Sequence, residues 1–466
     1  MSAIPCDQRR VRLPVRAALQ LGPLGDIWHK PAMSGVAALA VVQLALLLAG
    51  RLDLVLYASA GAMCALYCHG LPYAARARAL AWTVLGMVAG TAAALVTAAL
   101  TDSIAIRVAV AALLAGLHKA ACDITRIGPP GNVVLTFVTA SAAFVPQHLS
   151  EVPFHVGLAV LGGVVAWVVG MAPGLVRPDG PERIAVARAL EAAARLVRAR
   201  DHTEDPHHAR HAAEAAEAAV NAAWQTLLSS GAADRQALGR LLVQAESAVP
   251  GRSAEALMAY ARELRKGRPL PEPSAADPRP AAIEEDELAG VFAERRMPAR
   301  GSAFGRFLLD LARRWRVVVM VTAGTALAGL ASMALGVGRP YWAVVTAAAV
   351  FAATTTLSWS RALQRVVGNL VGVGLFTLLA PVTRLGALAL IVTVLALQFV
   401  TEAAITRNYW LGSVFVTPMA ILMTQFADTQ PVPVLVADRW LDTCVGVAAG
   451  LLACVLLLDR RAARKP

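Results

Sequence analysis

Twelve apolar runs, separated by short loops that hold most of the charge, leave this chain little choice of solvent. They lie at about 32–50, 53–71, 79–100, 104–121, 132–148 and 154–176 in the first half. In the second half they lie at about 317–336, 341–357, 362–380, 385–402, 408–426 and 440–458. A hydrocarbon layer about 30 Å thick asks for about 20 such residues per helix, and inside it every backbone amide must be bonded within the protein. Only helices and closed barrels satisfy that condition, and runs of this length and uniform apolarity are those of helices. With 57% apolar and 16% charged residues the chain departs from soluble composition in the direction those runs require. The fold class expected is therefore an all-α polytopic membrane protein.

The net charge of +12 does not indicate a nucleic-acid binder. Most arginines flank apolar runs, as retention on the cytoplasmic side requires, and no basic stripe is interleaved with stacking aromatics. Arginine outnumbers lysine 39 to 4, the mark of GC-rich coding in a bacterium, so arginine identity alone carries little weight. With the N-terminus inside, sixteen lysines and arginines fall in short cytoplasmic segments. Five (Arg51, Arg107, Arg339, Arg384 and Arg439) fall on the other side. That bias places both termini in the cytoplasm and the protein in the bacterial inner membrane. The basic, proline-bearing N-terminus lacks the apolar core of a cleavable signal, so the first run is expected to be a span.

The two halves read as copies. An offset of 282 lays Gly86-Met-Val-Ala-Gly90 over Gly368-Asn-Leu-Val-Gly372, and a slightly smaller one brings Phe137-Val-Thr139 onto Phe415-Val-Thr417. Six spans per copy is an even number, so the copies share one orientation and a pseudo-two-fold axis along the membrane normal. The expected organisation is a cytoplasmic segment (1–31), a first six-helix repeat (32–177), a cytoplasmic helical insert with a proline-rich linker (178–300), an interfacial amphipathic helix (301–316), a second six-helix repeat (317–458) and a basic tail (459–466). Within the insert, Pro181–Arg200, Pro206–Ser229, Ala233–Val249 and Ser253–Lys266 carry Ala, Glu, Arg and Leu at helical spacing, which suits a small bundle. The segment Arg268–Pro280 is too rich in proline for a regular element.

Small residues four apart let helix backbones approach closely, so Gly86/Gly90, Gly368/Gly372 and Gly446/Gly450 are expected to be helix-packing sites. Polar groups inside a bilayer face protein or water. Arg361 and Arg365 share a helix face with Asn369 one turn further on, and Tyr341 and Trp342 open a span. An arginine fork matches a carboxylate, and basic side chains lining a path select anions. These five residues are candidate binders of an organic anion. The competing reading keeps the arginines as positive-inside anchors and the aromatics as an interfacial belt. Glu402 is a candidate proton carrier, with Arg407 a partner, or else a solvated helix end. Arg439 and Asp442, three apart, are expected to form a structural ion pair.

Arg339-Pro-Tyr-Trp342, Arg365 with Gly368-x-x-x-Gly372, Arg407-Asn-Tyr409, Phe415-Val-Thr-Pro418 and Arg439-Trp-Leu-Asp442 ahead of Gly446 form a set. The set resembles the fusaric acid resistance protein family, which includes bacterial aromatic acid exporters and is similar to plant aluminium-activated malate channels. The resemblance covers about residues 315–460; the first half departs from it, since Tyr57 lacks the Trp and Thr83 stands where Arg365 would be. It implies outward movement of small organic anions, aromatic carboxylates among them, coupled to protons. A passive anion channel and a membrane scaffold acting through the insert are the alternatives.

Other clusters carry less. Cys64 and Cys68 beside His69 find no second ligand pair for zinc, and His202, His207, His208 and His211 sit in a polar interhelical run. No phosphate loop, serine-nucleophile elbow or zinc-protease motif is present, so no enzyme, metal or cofactor is expected. The partners expected are the bilayer and the anion; monomer and homo-oligomer both stay open.

Overall fold

A computed structural model describes residues 15–202, 206–230, 235–246, 254–269, 302–352, 354–426 and 431–462, and among these every regular element is helical. The chain divides into two compact units. One holds residues up to 67, 82–167 and 303 onward; the other holds 68–81 and 168–302.

Among the described residues eight helices are long and apolar enough to cross a bilayer. Those of the first half are α2 (His29–Leu48), α4 (Tyr73–Leu100), α5 (Ile104–Thr125) and α7 (Val152–Met171), after a single turn, α1 (Val15–Leu19). Those of the second half are α13 (Trp315–Ala334), α15 (Thr355–Leu379), α16 (Ala387–Arg407) and α18 (Val432–Ala462). The other four expected spans are short: α3 (Val55–Ala62), lying in the apolar stretch Leu52–Leu66, α6 (Asn132–Ala142), α14 (Tyr341–Val350) and α17 (Tyr409–Thr424). At 1.5 Å per residue the 10 residues of α14 reach about 15 Å, half of a hydrocarbon core. The apolar run continues beyond each such helix, but the backbone does not. After α14, Phe351 is extended and Thr354 accepts from the Leu357 amide to start α15; α3 tightens into a 3-10 turn over Met63–Leu66 before Tyr67 turns extended. Hydropathy records what a residue prefers to touch and not where a helix stops.

In this unit α5 packs on α13, α2 on α16, and α6 on α14. Small residues set these approaches: a Cβ on Gly116 of α5 would strike the Val318 carbonyl and Thr322 of α13. Val55, Phe376, Leu390, Val394, Met419 and Leu422 form one buried cluster, and Leu95, Val108, Ala140, Tyr341, Trp342 and Val345 belong to another. Large apolar side chains such as Trp82, Leu161, Leu370 and Val392 stay exposed, as a surface facing lipid requires.

The second unit carries α8 (Gly180–His202), α9 (Pro206–Leu228), α10 (Arg235–Glu246) and α11 (Ala254–Lys266), with bounds within about two residues of those expected wherever the chain is described. Val186, Leu190, Trp224, Leu227, Leu241, Leu257 and Leu264 close one core between them. Arg265 grips Glu191 at 2.6 Å, and the Trp224 indole donates to Glu246 at 3.2 Å. The proline-rich linker lies, from residue 270, outside the described residues. The amphipathic α12 (Ala303–Arg313) begins the return to the membrane unit, its Phe304 stacked on Trp82 at 6.0 Å between ring centroids.

Candidate functional site

The membrane unit contains a partly open cavity of about 780 Å³. Its wall takes Met63, Leu66, Lys119, Cys122, Asp123 and Phe137 from the first half, with the Gly128-Pro-Pro-Gly131 turn. From the second half come Trp342, Arg361, Gln364, Arg365, Gln398, Glu402, Asn408, Tyr409 and Arg439.

The charges in this wall are not evenly matched. Lys119 and Asp123 bond each other at 2.5 Å, one helical turn apart, and neutralise. Arg361 lies over the Tyr409 ring at 4.5 Å, and Arg365 donates to the same residue's hydroxyl at 3.2 Å. Arg439, only 1% exposed, stacks on Trp342 at 3.9 Å, and none of its three guanidinium nitrogens has a hydrogen-bond partner. Among the described residues no carboxylate pairs with any of the three arginines. The remaining acid, Glu402, accepts from Gln398 at 3.0 Å. Of the three, Arg365 and Arg439 are buried and Arg361 is exposed, and a buried guanidinium that no carboxylate bonds costs several kcal/mol and attracts negative charge. Cation–π contact with Trp342 offsets part of that cost for Arg439, and the Tyr409 hydroxyl part of it for Arg365, without neutralising either charge. Trp342 also stacks against Phe137 at 5.4 Å, which gives the cavity a flat aromatic wall.

The structure sorts the sequence candidates. Arg361, Arg365, Trp342 and Glu402 meet at the cavity. Asn369 does not: it is fully buried, its amide donating to Thr443 at 2.8 Å and accepting from Thr417 at 2.6 Å, which ties α15 to α17 and α18. Tyr341 is also off the wall, packed between Trp342 and Phe144 because successive helix residues point about 100° apart. Arg407 does not reach Glu402; it donates to the Gly22 carbonyl.

The expected ion pair of Arg439 with Asp442 is corrected in the same way. Asp442 accepts from Ser332 and feels Arg439 only through space: no contact within ion-pair distance joins them, and the Arg439 side chain turns to Trp342 and the cavity. Spacing of three puts two side chains on one face but does not aim them at each other. Arg439 also leaves the tally of loop charges, since it stands inside α18. Of the glycine pairs, a Cβ on Gly90, Gly368, Gly372, Gly446 or Gly450 would meet a neighbouring helix, whereas Gly86 faces open space and is not a packing site. The closest approach was missed in the sequence: Gly61 of α3 faces the Ala159 carbonyl of α7, and Gly162 faces that of Ala58. Tyr409, which holds two of the arginines, stood in a quoted motif without a role.

The second half carries the family relation. Residues 325–453 match the family model described as fusaric acid resistance protein-like. This stretch is similar to fusaric acid resistance protein-like sequences. It contains Trp342, Arg361, Arg365, Glu402, Tyr409 and Arg439, hence every arginine of the cavity. Over its whole length the chain is similar to the uncharacterized membrane protein YvaC of Bacillus subtilis (strain 168), at 26% identity across 99% of this chain and 77% of that protein. No solved structure matches.

Proposed function

We propose that this membrane protein exports small organic anions, aromatic carboxylates first among them, across the bacterial cytoplasmic membrane. The observation that carries the proposal is the cavity itself: three arginines without a carboxylate partner beside stacked Trp342 and Phe137. A benzoate-like molecule meets both demands, its carboxylate on a guanidinium fork and its ring on the aromatic wall.

The two-repeat organisation belongs to this proposal. The first span of each half packs on the fourth of the other, as α2 on α16 and α13 on α5. Gly90 closes on Thr139 in one half as Gly372 closes on Thr417 in the other. Such exchange suits a pseudo-two-fold axis along the membrane normal, with the cavity between the copies. Diverged copies then share the work unequally: the first supplies the neutral Lys119–Asp123 pair, the second the unpaired arginines. Positive-inside bias supports termini and an insert on the cytoplasmic side. Glu402, held by an amide and, among the described residues, by no cation, is the group proposed to carry the proton.

Efflux of preloaded labelled hydroxybenzoate from cells with and without the protein tests this reading, with a protonophore in parallel. Faster efflux that the protonophore and Glu402→Gln each abolish supports the coupled exporter. Efflux that survives both makes the protein a passive channel, and no acceleration for any organic acid removes the substrate assignment.

A further inference from the structure

The first described residues of the chain are fastened across the corner between α16 and α17. The Gln364 amide donates to the Ala18 carbonyl at 2.7 Å, and the Trp410 indole donates to that of Leu19 at 3.0 Å. Arg407 donates to the Gly22 carbonyl, and the Gly22 amide donates back to the Arg407 carbonyl at 2.9 Å. The Gly25 amide then donates to the Thr406 hydroxyl at 3.1 Å.

Asn408 is the centre of this arrangement. Its amide nitrogen donates to Ala18 at 3.0 Å and to Gln20 at 2.8 Å, while its oxygen accepts from Gln364 at 2.9 Å and from the Trp410 amide at 3.2 Å. An asparagine side chain has two donors and two acceptor sites, and here all four are used. None is left for a ligand, although Asn408 stands in the cavity wall beside Gln364 and Thr406. Three wall residues, Gln364, Thr406 and Asn408, therefore each bond the N-terminal segment.

We propose that residues 15–25 are a strap across one side of the cavity mouth that sets how large a molecule enters. The strap is held by backbone carbonyls, which any sequence offers, and by fit at two glycines. A Cβ on Gly22 would lie 3.3 Å from the Arg407 carbonyl, and one on Gly25 would lie 3.0 Å from Thr406. Side chains there lift the strap without altering any residue of the wall.

A native thiol reports the result. Cys122 lines the cavity, and its modification is read by mass spectrometry on its own peptide. The full-length protein is treated with two uncharged methanethiosulfonates, one small and one carrying a bulky sugar. In Gly22→Val/Gly25→Val the bulky reagent is expected to modify Cys122 about tenfold faster than in the wild type, while the small reagent changes less than about twofold. Trp410→Phe, which removes only the bond to Leu19, shifts the same ratio in the same direction and serves if the double variant does not fold. Equal rates for the bulky reagent in all three proteins, or an equal rise for both reagents, overturns the strap. The inference takes its meaning from the anion cavity, but its test does not. A changed labelling ratio without transport of any organic acid keeps the strap and removes the exporter.

Discussion

At the scale of single residues the account turns on Arg439. A buried cation with no bonded partner is a cost to the folded protein, and removing its charge relieves that cost. Arg439→Gln is therefore expected to leave the melting temperature of the purified protein unchanged or raised, while transport falls at least about tenfold, the weight of one charge-assisted hydrogen bond. A structural arginine would behave in the opposite way, losing stability and activity together. Residue chemistry was partly legible in the sequence. Arg361 and Arg365 stand together because helical spacing of four fixes them on one face. Arg439, Tyr341 and Asn369 were misplaced because their roles depend on helices distant in the chain: Trp342 for the first, Phe144 for the second, Thr417 and Thr443 for the third.

Among the elements, glycine pairs separate into used and unused. Gly86→Val should be near neutral, since nothing lies within 4 Å of the added carbon. Gly372→Val drives a side chain against Thr417 and the Val414 carbonyl at 2.8 Å, an overpacking that costs about 1–3 kcal/mol or more. Thermal melting of the two variants in detergent distinguishes them, with only Gly372→Val lowered by several degrees. The four-residue pattern alone does not tell the two glycines apart, because it marks a small face without marking what packs on it.

The insert has its own check. Glu182, near the start of α8, is buried with one oxygen accepting from Ser230 at 2.6 Å and the other unpartnered, and burial raises its pKa above the ordinary carboxylate value. A carboxyl whose folded pKa is raised contributes stability that is fully present below its unfolded pKa. That contribution is lost as pH rises through the folded value. Hydrogen exchange of α8 amides should therefore slow in Glu182→Gln relative to the wild type at pH 8 and differ little at pH 4. A larger difference at pH 4 than at pH 8 contradicts this assignment.

For the whole molecule, the membrane class and the position of every long helix were readable from hydropathy, since bilayer thickness sets the length of an apolar run. The reduction of four runs to short helices was not, because extended residues such as Tyr67 and Phe351 are as apolar as the helices they end. Orientation remains a matter of charge on two sides. Reporter fusions at residue 300 and at the C-terminus are expected to be active only for a cytoplasmic reporter; activity of a periplasmic reporter at either place reverses the topology.

The central claim is that the cavity holds an organic anion by its charge as well as by its ring. Equilibrium binding of hydroxybenzoate and of hydroxybenzamide to the purified protein, read by tryptophan fluorescence, tests it most directly. The carboxylate is expected to bind, the uncharged amide to bind at least about tenfold more weakly, and Arg439→Gln to erase the difference. Equal binding of both compounds, or a preference that survives Arg439→Gln, Arg365→Gln and Arg361→Gln together, would contradict it.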